Sequence, residues 1–251
     1  MKFKVLSSGS KGNCTYFQVN NKNYLIDLGV STNYLVDKLK VIDVSPNSID
    51  GIFLTHIHSD HTLGLQRFIK KYHTPIYLSK DMYDHLKDKL EIAHIVEEDF
   101  ALEDLNIKII KTSHDVDSYG YIFETNNSSL VYITDTGYLN ERYIPELKDR
   151  SAYIFESNHD DEMLNNGSYP FYLKQRIRGP KGHLSNYDSS QSLSKMIGEH
   201  TKVIVLAHLS EENNTEELAY NTLVNTLKKK EIDFKNILIA KQNEDLELIE
   251  L

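Results

Sequence analysis

Short apolar runs recur along the chain, separated by polar turns and by stretches with helical spacing. Residues 3–6 read as a strand entering the loop Ser7-Ser8-Gly9-Ser10-Lys11-Gly12-Asn13-Cys14. Residues 15–19 and 23–28 alternate in polarity around Asn20-Asn21-Lys22, which predicts two strands joined by a turn. Residues 31–39 place Leu35 and Leu39 at helical spacing, with Ser31 or Thr32 as cap. Gly51-Ile52-Phe53-Leu54 predicts a buried strand ending at Thr55. Leu63, Leu65, Phe68 and Ile69 predict a helix running to Tyr72, then a strand over 75–78 and a charged helix over 80–90. Further strands are expected at 107–112, 129–134, 152–155 and 202–207, with a short helix over 141–147 and another beginning near Asn186. An amphipathic helix over 215–229 and two late strands complete the pattern. No Gly-, Pro- or Ser-rich linker and no internal repeat divides the chain, so residues 1–251 are expected to form one domain.

Composition narrows the class. Hydrophobic residues make up 40% and charged residues 26% of 251, which is globular. The lone cysteine, Cys14, excludes intramolecular disulfides and cysteine-rich zinc modules, and reads as a small buried residue. The N-terminus turns polar by Ser7, too early for a signal-peptide core, and no apolar run is long enough to span a bilayer. A cytoplasmic protein with no membrane partner is expected, and no obligate protein partner is inferred. A net charge of −9 does not advertise a partner that is a polyanion. Residues 163–187, however, contain no acid, and carry Lys174, Arg176, Arg178 and Lys181 beside Tyr169, Phe171 and Tyr172. Such a strip is either a solvated face or a surface for phosphates and stacked bases, which needs local positive charge only.

The densest chemistry is Thr55-His56-Ile57-His58-Ser59-Asp60-His61. Four potential metal ligands crowd a short segment, and no strand could aim His56, His58, Asp60 and His61 at one point. A tight loop after a strand can, and imidazoles with a carboxylate suit Zn, Mn or Fe. Three further candidates each follow a strand-like run: His114, Asp135 and His208. Strand ends along one sheet edge share a cleft, which is how distant ligands are collected. Asp27 ends another strand and is a candidate for orienting a ligand histidine, or for capping the next helix. The Gly9–Gly12 loop is either a plain turn or a substrate loop contacting phosphate through Lys11 or Asn13. His73, His85, His94 and His200 are expected at the surface or at caps, and His159 receives no role.

With these residues in hand, the chain resembles the metallo-β-lactamase superfamily through its HxHxDH loop followed in order by His114, Asp135 and His208. The resemblance implies an α/β, four-layer αββα sandwich with two divalent ions, Zn or Mn and conceivably Fe. It implies His56, His58 and His114 on one ion, Asp60, His61 and His208 on the other, Asp135 bridging them, and a shared hydroxide oriented by Asp60. Gly182-His183-Leu184-Ser185-Asn186 resembles a histidine motif of tRNA-processing endonucleases in the same superfamily, in which a glutamate orients the histidine at the phosphate; Glu156 matches that glutamate. An imidazole held by a carboxylate can protonate a leaving oxygen. The alternative is that Gly182 and His183 only cap the helix beginning near Asn186. Ser185 and Asn186 join the candidate substrate contacts. Ser-Ser-Gly-Ser-Lys-Gly-Asn, Glu-Ser-Asn-His-Asp, Gly-His-Leu-Ser-Asn and His-Leu-Ser-Glu-Glu-Asn-Asn together resemble the YycJ (WalJ)-like subfamily of metal-dependent nucleases. That resemblance implies a 5′-to-3′ double-stranded DNA exonuclease, a nucleic-acid partner that is DNA rather than RNA, and a link to mismatch repair. Three rivals remain: a small-molecule hydrolase of the same fold (a glyoxalase II-like thioesterase or cyclic phosphodiesterase), a secreted β-lactamase, which the missing export signal disfavours, and a non-catalytic metal-binding regulator.

Overall fold

In the computed structural model, which describes residues 1–251, alternate side chains of the strands point into two different cores. In chain order the strands are β1 (Lys2–Ser7), β2 (Cys14–Val19), β3 (Lys22–Ile26), β4 (Ile49–Phe53), β5 (Ile76–Leu78), β6 (Ala93–Ile95), β7 (Phe100–Leu102), β8 (Leu105–Lys111), β9 (Tyr119–Glu124), β10 (Ser129–Ile133), β11 (Ala152–Glu156), β12 (Val203–Ala207), β13 (Ile237–Ile239) and β14 (Ile249–Glu250). They build two seven-stranded sheets, ordered β14-β1-β2-β3-β4-β5-β6 and β13-β12-β11-β10-β9-β8-β7. β3 to β6 run parallel in the first and β10 to β13 in the second, the remaining pairings being antiparallel. Leu130, Tyr132, Ile154, Val203 and Val205 belong to the core shared with the first sheet. Their neighbours Val131, Ile133, Tyr153, Phe155, Ile204 and Leu206 belong to the other core, as the two-residue period of a strand requires.

The helices are α1 (Thr32–Val41), α2 (Ser59–Thr62), α3 (Leu65–Tyr72), α4 (Lys80–Leu86), α5 (Ile144–Leu147), α6 (Asp161–Asn166), α7 (Phe171–Arg178), α8 (Asn186–Met196) and α9 (Glu216–Lys229). Leu35, Leu39, Phe68, Ile69 and Met82 pack α1, α3 and α4 on the first sheet; Leu147, Leu193, Leu223 and Leu227 pack α5, α8 and α9 on the second. The layers are αββα, as expected. No helix is long and apolar enough to cross a membrane.

Differences from the sequence pattern have local causes. The charged helix stops at Leu86 and passes into a 3₁₀ turn, Lys87–Lys89, because that stretch buries nothing to hold a longer helix. Strands β6, β7 and β9 and helices α6 and α7 were not anticipated. α7 buries no residue at all, so it carries no apolar period to reveal it, and β6 and β7 are three-residue edge strands.

Aromatic rings fasten the sheets together: Phe17 and Phe53 of the first sheet lie 4.4 Å and 4.8 Å, centroid to centroid, from Phe123 of the second. Phe123→Ala should therefore lower unfolding free energy by about 3–5 kcal/mol, read by chemical denaturation. A loss below about 1 kcal/mol would mean that the cavity collapses freely.

Candidate metal centre and active site

One end of the sandwich collects the predicted residues. Asp27 follows β3, the 55–61 loop follows β4, His114 follows β8, Asp135 follows β10, Glu156 ends β11 and His208 follows β12. Asp27, Asp135 and His208 all have left-handed backbone, with φ of 58°, 55° and 56°. Asp and His tolerate this region better than most residues, and it turns the chain off each strand at the cleft. The 55–61 loop is clamped from several sides. Tyr119 N–H donates to Thr55 O (2.8 Å) and the Tyr121 hydroxyl to Leu54 O (2.6 Å), so the second sheet holds a loop of the first. Asn13 N–H donates to Asp60 O (2.7 Å), beside Gly29. A Cβ on Gly29 would sit 1.6 Å from that same oxygen, so only glycine permits the approach.

Within this frame His56, His58 and His114 form one potential ligand group, and Asp60, His61 and His208 a second. His58 Nδ1 lies 3.1 Å from His56 Nε2 and 3.3 Å from His114 Nε2. Asp60 Oδ2 lies 3.5 Å from His61 Nε2 and 3.7 Å from His208 Nε2. Asp135 stands between the groups. Its Oδ2 is 3.2 Å from His61 Nε2 and its Oδ1 3.5 Å from His208 Nε2, and with His56 and His61 it forms a third potential set.

The outward nitrogen of every histidine has its own acceptor. His56 Nδ1 faces the Thr55 hydroxyl (3.0 Å), His58 Nε2 faces Asp115 (3.2 Å), and His61 Nδ1 faces Asp27 (2.7 Å). His114 Nδ1 faces the Gly182 carbonyl (3.3 Å), and His208 Nδ1 faces Glu156 (3.0 Å). Protons placed there leave five lone pairs turned inward, the arrangement that ligating histidines require. Asp135 Oδ2 and His208 Nε2 are buried without any hydrogen-bond partner. Buried orphans of this kind are costly unless something else satisfies them. The donor set fits divalent ions of borderline or hard character.

Glu156 is wholly buried and accepts four hydrogen bonds. Its Oε1 takes His183 Nδ1 (2.8 Å) and His208 Nδ1 (3.0 Å); its Oε2 takes the amides of Thr136 (2.9 Å) and Leu184 (3.1 Å). It therefore fixes His208 as well as His183, a second duty not anticipated from the sequence. Asp27 accepts from His61 Nδ1 (2.7 Å) and from the Thr55 amide and hydroxyl.

Charge explains the protonation pattern. Burial pushes the Glu156 acid up, but His183 and His208 outweigh it and hold it at about 2. Burial likewise raises Asp60 and Asp135, and is overcome by His208 and His61, leaving both well below the carboxylate range. His208, pushed down by burial, is raised by Asp135, Asp60 and Glu156 to about 10; His61, also opposed by burial, is raised by Asp27 and Asp135. Burial lowers His56 and His114, keeping them neutral. Without ions, protons on His61 and His208 balance the carboxylates.

The expected substrate contacts divide. Asn13, Ser185 and Asn186 are buried and correct the expectation. Asn13 spends its amide on the Gly9 backbone and approaches His61 Nε2 (2.9 Å). Ser185 caps α8 through Asp188, and Asn186 is locked to Ser157 and Asn214. Lys174 donates to the Asn165 and Gly167 carbonyls, Arg178 to that of Asp161, and exposed Lys11 pairs with Glu211. Arg176 and Lys181 remain beside His114 and His183, with Arg176 reaching Asp115 (2.5 Å). The other flank of His114 is a groove in which Asp81, Asp84, Glu97, Asp115 and Asp117 outnumber Lys80 and Lys181, so it favours an anionic chain less than the α7 side does.

Sequence reading missed Asp115, Ser8 and Asn158. Asp115 had a signal, as a carboxylate directly after a candidate ligand. Ser8, which accepts from the His208 amide (2.8 Å), and Asn158, which donates to the His208 carbonyl (2.8 Å), had none. His159 is buried, with its Nδ1 unpaired and its pKa pushed by burial down to about 4; His73, His85, His94 and His200 lie at the surface.

Residues 22–208 match the beta-lactamase superfamily domain. Exodeoxyribonuclease WalJ of Streptococcus pneumoniae serotype 2 is 36% identical, covering 93% of this chain and 92% of that protein. Exodeoxyribonuclease YycJ of Bacillus anthracis is 36% identical, covering 92% and 90%. The metallo-beta-lactamase fold protein YhfI from Bacillus subtilis superposes with a TM-score of 0.75 at 17% identity, covering 98% of both chains. The chain belongs to the metallo-β-lactamase superfamily of hydrolytic enzymes and, within that class, to the WalJ/YycJ family.

Ion uptake at neutral pH should expel protons from His61 and His208, so affinity should rise with pH towards the His208 value of about 10. Titration calorimetry in buffers of different ionisation enthalpy reads this, and a buffer-independent heat would contradict it. Asp27→Asn should weaken binding about 10–100-fold by releasing the His61 tautomer, measured in the same titration.

Proposed function

We propose that this protein is a dinuclear metal-dependent phosphodiesterase that digests double-stranded DNA from the 5′ end, acting as one unit over residues 1–251. The observation that carries the reading is His183. Its ring is partly exposed beside the ligand groups, and its Nδ1 is tied through Glu156 to His208. With Nδ1 so tied, Nε2 is the nitrogen left to meet a substrate. The curated relatives' activity supports an exodeoxyribonuclease, and Arg176 with Lys181 supply positive charge where an anionic chain would leave.

His56, His58 and His114 would hold one ion, Asp60, His61 and His208 the other, and Asp135 would span both. Zn or Mn fits these donors, with Fe next. When bound, such ions acidify water and offset the charge that grows on a phosphate. Asp60, partly exposed, faces the attacking water and orients it. His183 donates its proton to the departing oxygen as the phosphorus–oxygen bond breaks, and Glu156 holds the ring in line throughout. A role in mismatch repair and a cytoplasmic location follow from the same family reading.

His183→Ala should retain both ions and lose about 10²–10⁴-fold in rate on end-labelled duplex DNA, with metal content read by atomic absorption. A variant that keeps wild-type rate removes the acid assignment. Asp60→Ala should lose activity and weaken one ion; full occupancy with full activity contradicts its role. Arg176→Glu with Lys181→Glu should cripple DNA cleavage while sparing a small bis-ester. Equal loss on both substrates favours a small-molecule hydrolase.

A further inference from the structure

Behind His183, on the side away from the acidic groove, lies a cavity of about 290 Å³. Tyr169, just before α7, and Leu173 and Ile177 of α7 form its apolar wall, while Arg176 and Lys181 carry positive charge there and His114 and His183 also line it. This volume lies at the small end of ligand sites, on the scale of one nucleotide unit. The chemistry of the lining matches such a unit: a flat apolar wall for a base, cations for a phosphate, and a proton donor at the reacting end.

We propose that this cavity seats the terminal nucleotide of the strand being cut, so that one mononucleotide is released per turnover. The inference rests on the exonuclease reading and deepens it. In a cut between the first and second nucleotides, a water-derived oxygen bonds to the phosphorus of the second nucleotide. The bond from that phosphorus to the 3′ oxygen of the first breaks, and that oxygen takes the proton from His183. The departing 3′ oxygen belongs to the terminal nucleotide, which therefore has to lie on the His183 side. Its own 5′ phosphate then reaches Arg176 and Lys181, with Arg176 exchanging Asp115 for the phosphate. The alternative direction, past His114, carries Asp81, Asp84, Glu97, Asp115 and Asp117 against Lys80 and Lys181, an excess of acid that suits a phosphate less well.

Equilibrium binding of dAMP to the metal-loaded protein tests the proposal. Leu173→Trp, which fills the cavity, should weaken dAMP at least tenfold, and inorganic phosphate should bind wild type at least tenfold more weakly than dAMP. Lys181→Glu, a surface change, gives the same reading if Leu173→Trp fails to fold. Unchanged dAMP affinity in the folded variants, or phosphate binding as tight as dAMP, overturns the cavity as the seat. Digestion of 5′-labelled duplex by wild type is followed separately. A protein that leaves DNA intact overturns the exonuclease reading, whereas one that releases dinucleotides or longer pieces overturns the seat alone.

Discussion

Four carboxylates, Asp27, Asp60, Asp135 and Glu156, converge at one end of the sandwich, and all but Asp60 are buried. So much negative charge in so little solvent is unstable unless cations share the space. The rest of the site answers that constraint. Histidines interleave with the acids, each with one nitrogen held outward, and left-handed backbone at Asp27, Asp135 and His208 directs the chain into the cleft. Protons on His61 and His208 can balance the acids only by occupying the nitrogens that ligation needs. Ions and protons therefore compete for the same places.

The centre is joined to His183 and Arg176 by two carboxylates with shared duties. Glu156 links His208 to His183 through a single oxygen. Asp115 accepts from His58 with one oxygen and from Arg176 of α7 with the other. Displacement of Arg176 by a phosphate would thus be felt at a ligand histidine, and reorganisation of the ligands would be felt at His183. The surrounding charge is uneven: five acids outnumber Lys80 and Lys181 on one flank of His114, while Arg176 and Lys181 line the other, despite a net charge of −9.

Much of the fold and the candidate site was legible along the chain. Strands followed by a ligand at 54–56, 133–135 and 206–208 could be read because burial and strand period are local properties of a few adjacent residues. The crowding of His56, His58, Asp60 and His61 is local too. Less was legible where an element buries nothing of its own: α7 was visible only as a basic strip, and β6 and β7 depend on neighbours for their pairing.

The sequence by itself therefore determined the run of strands, the ligand candidates and their order, because each rests on residue type and short spacing, while the layered class came through the family resemblance those residues carry. Only the tertiary structure decided which groups serve them. Asn13, Ser185 and Asn186 turn inward, Glu156 takes two histidines, and Asp115 ties His58 to Arg176, through contacts between residues 27 to 61 positions apart. Hydrogen-bond partners so distant along the chain leave no local period, and exist only once two sheets have closed on one another.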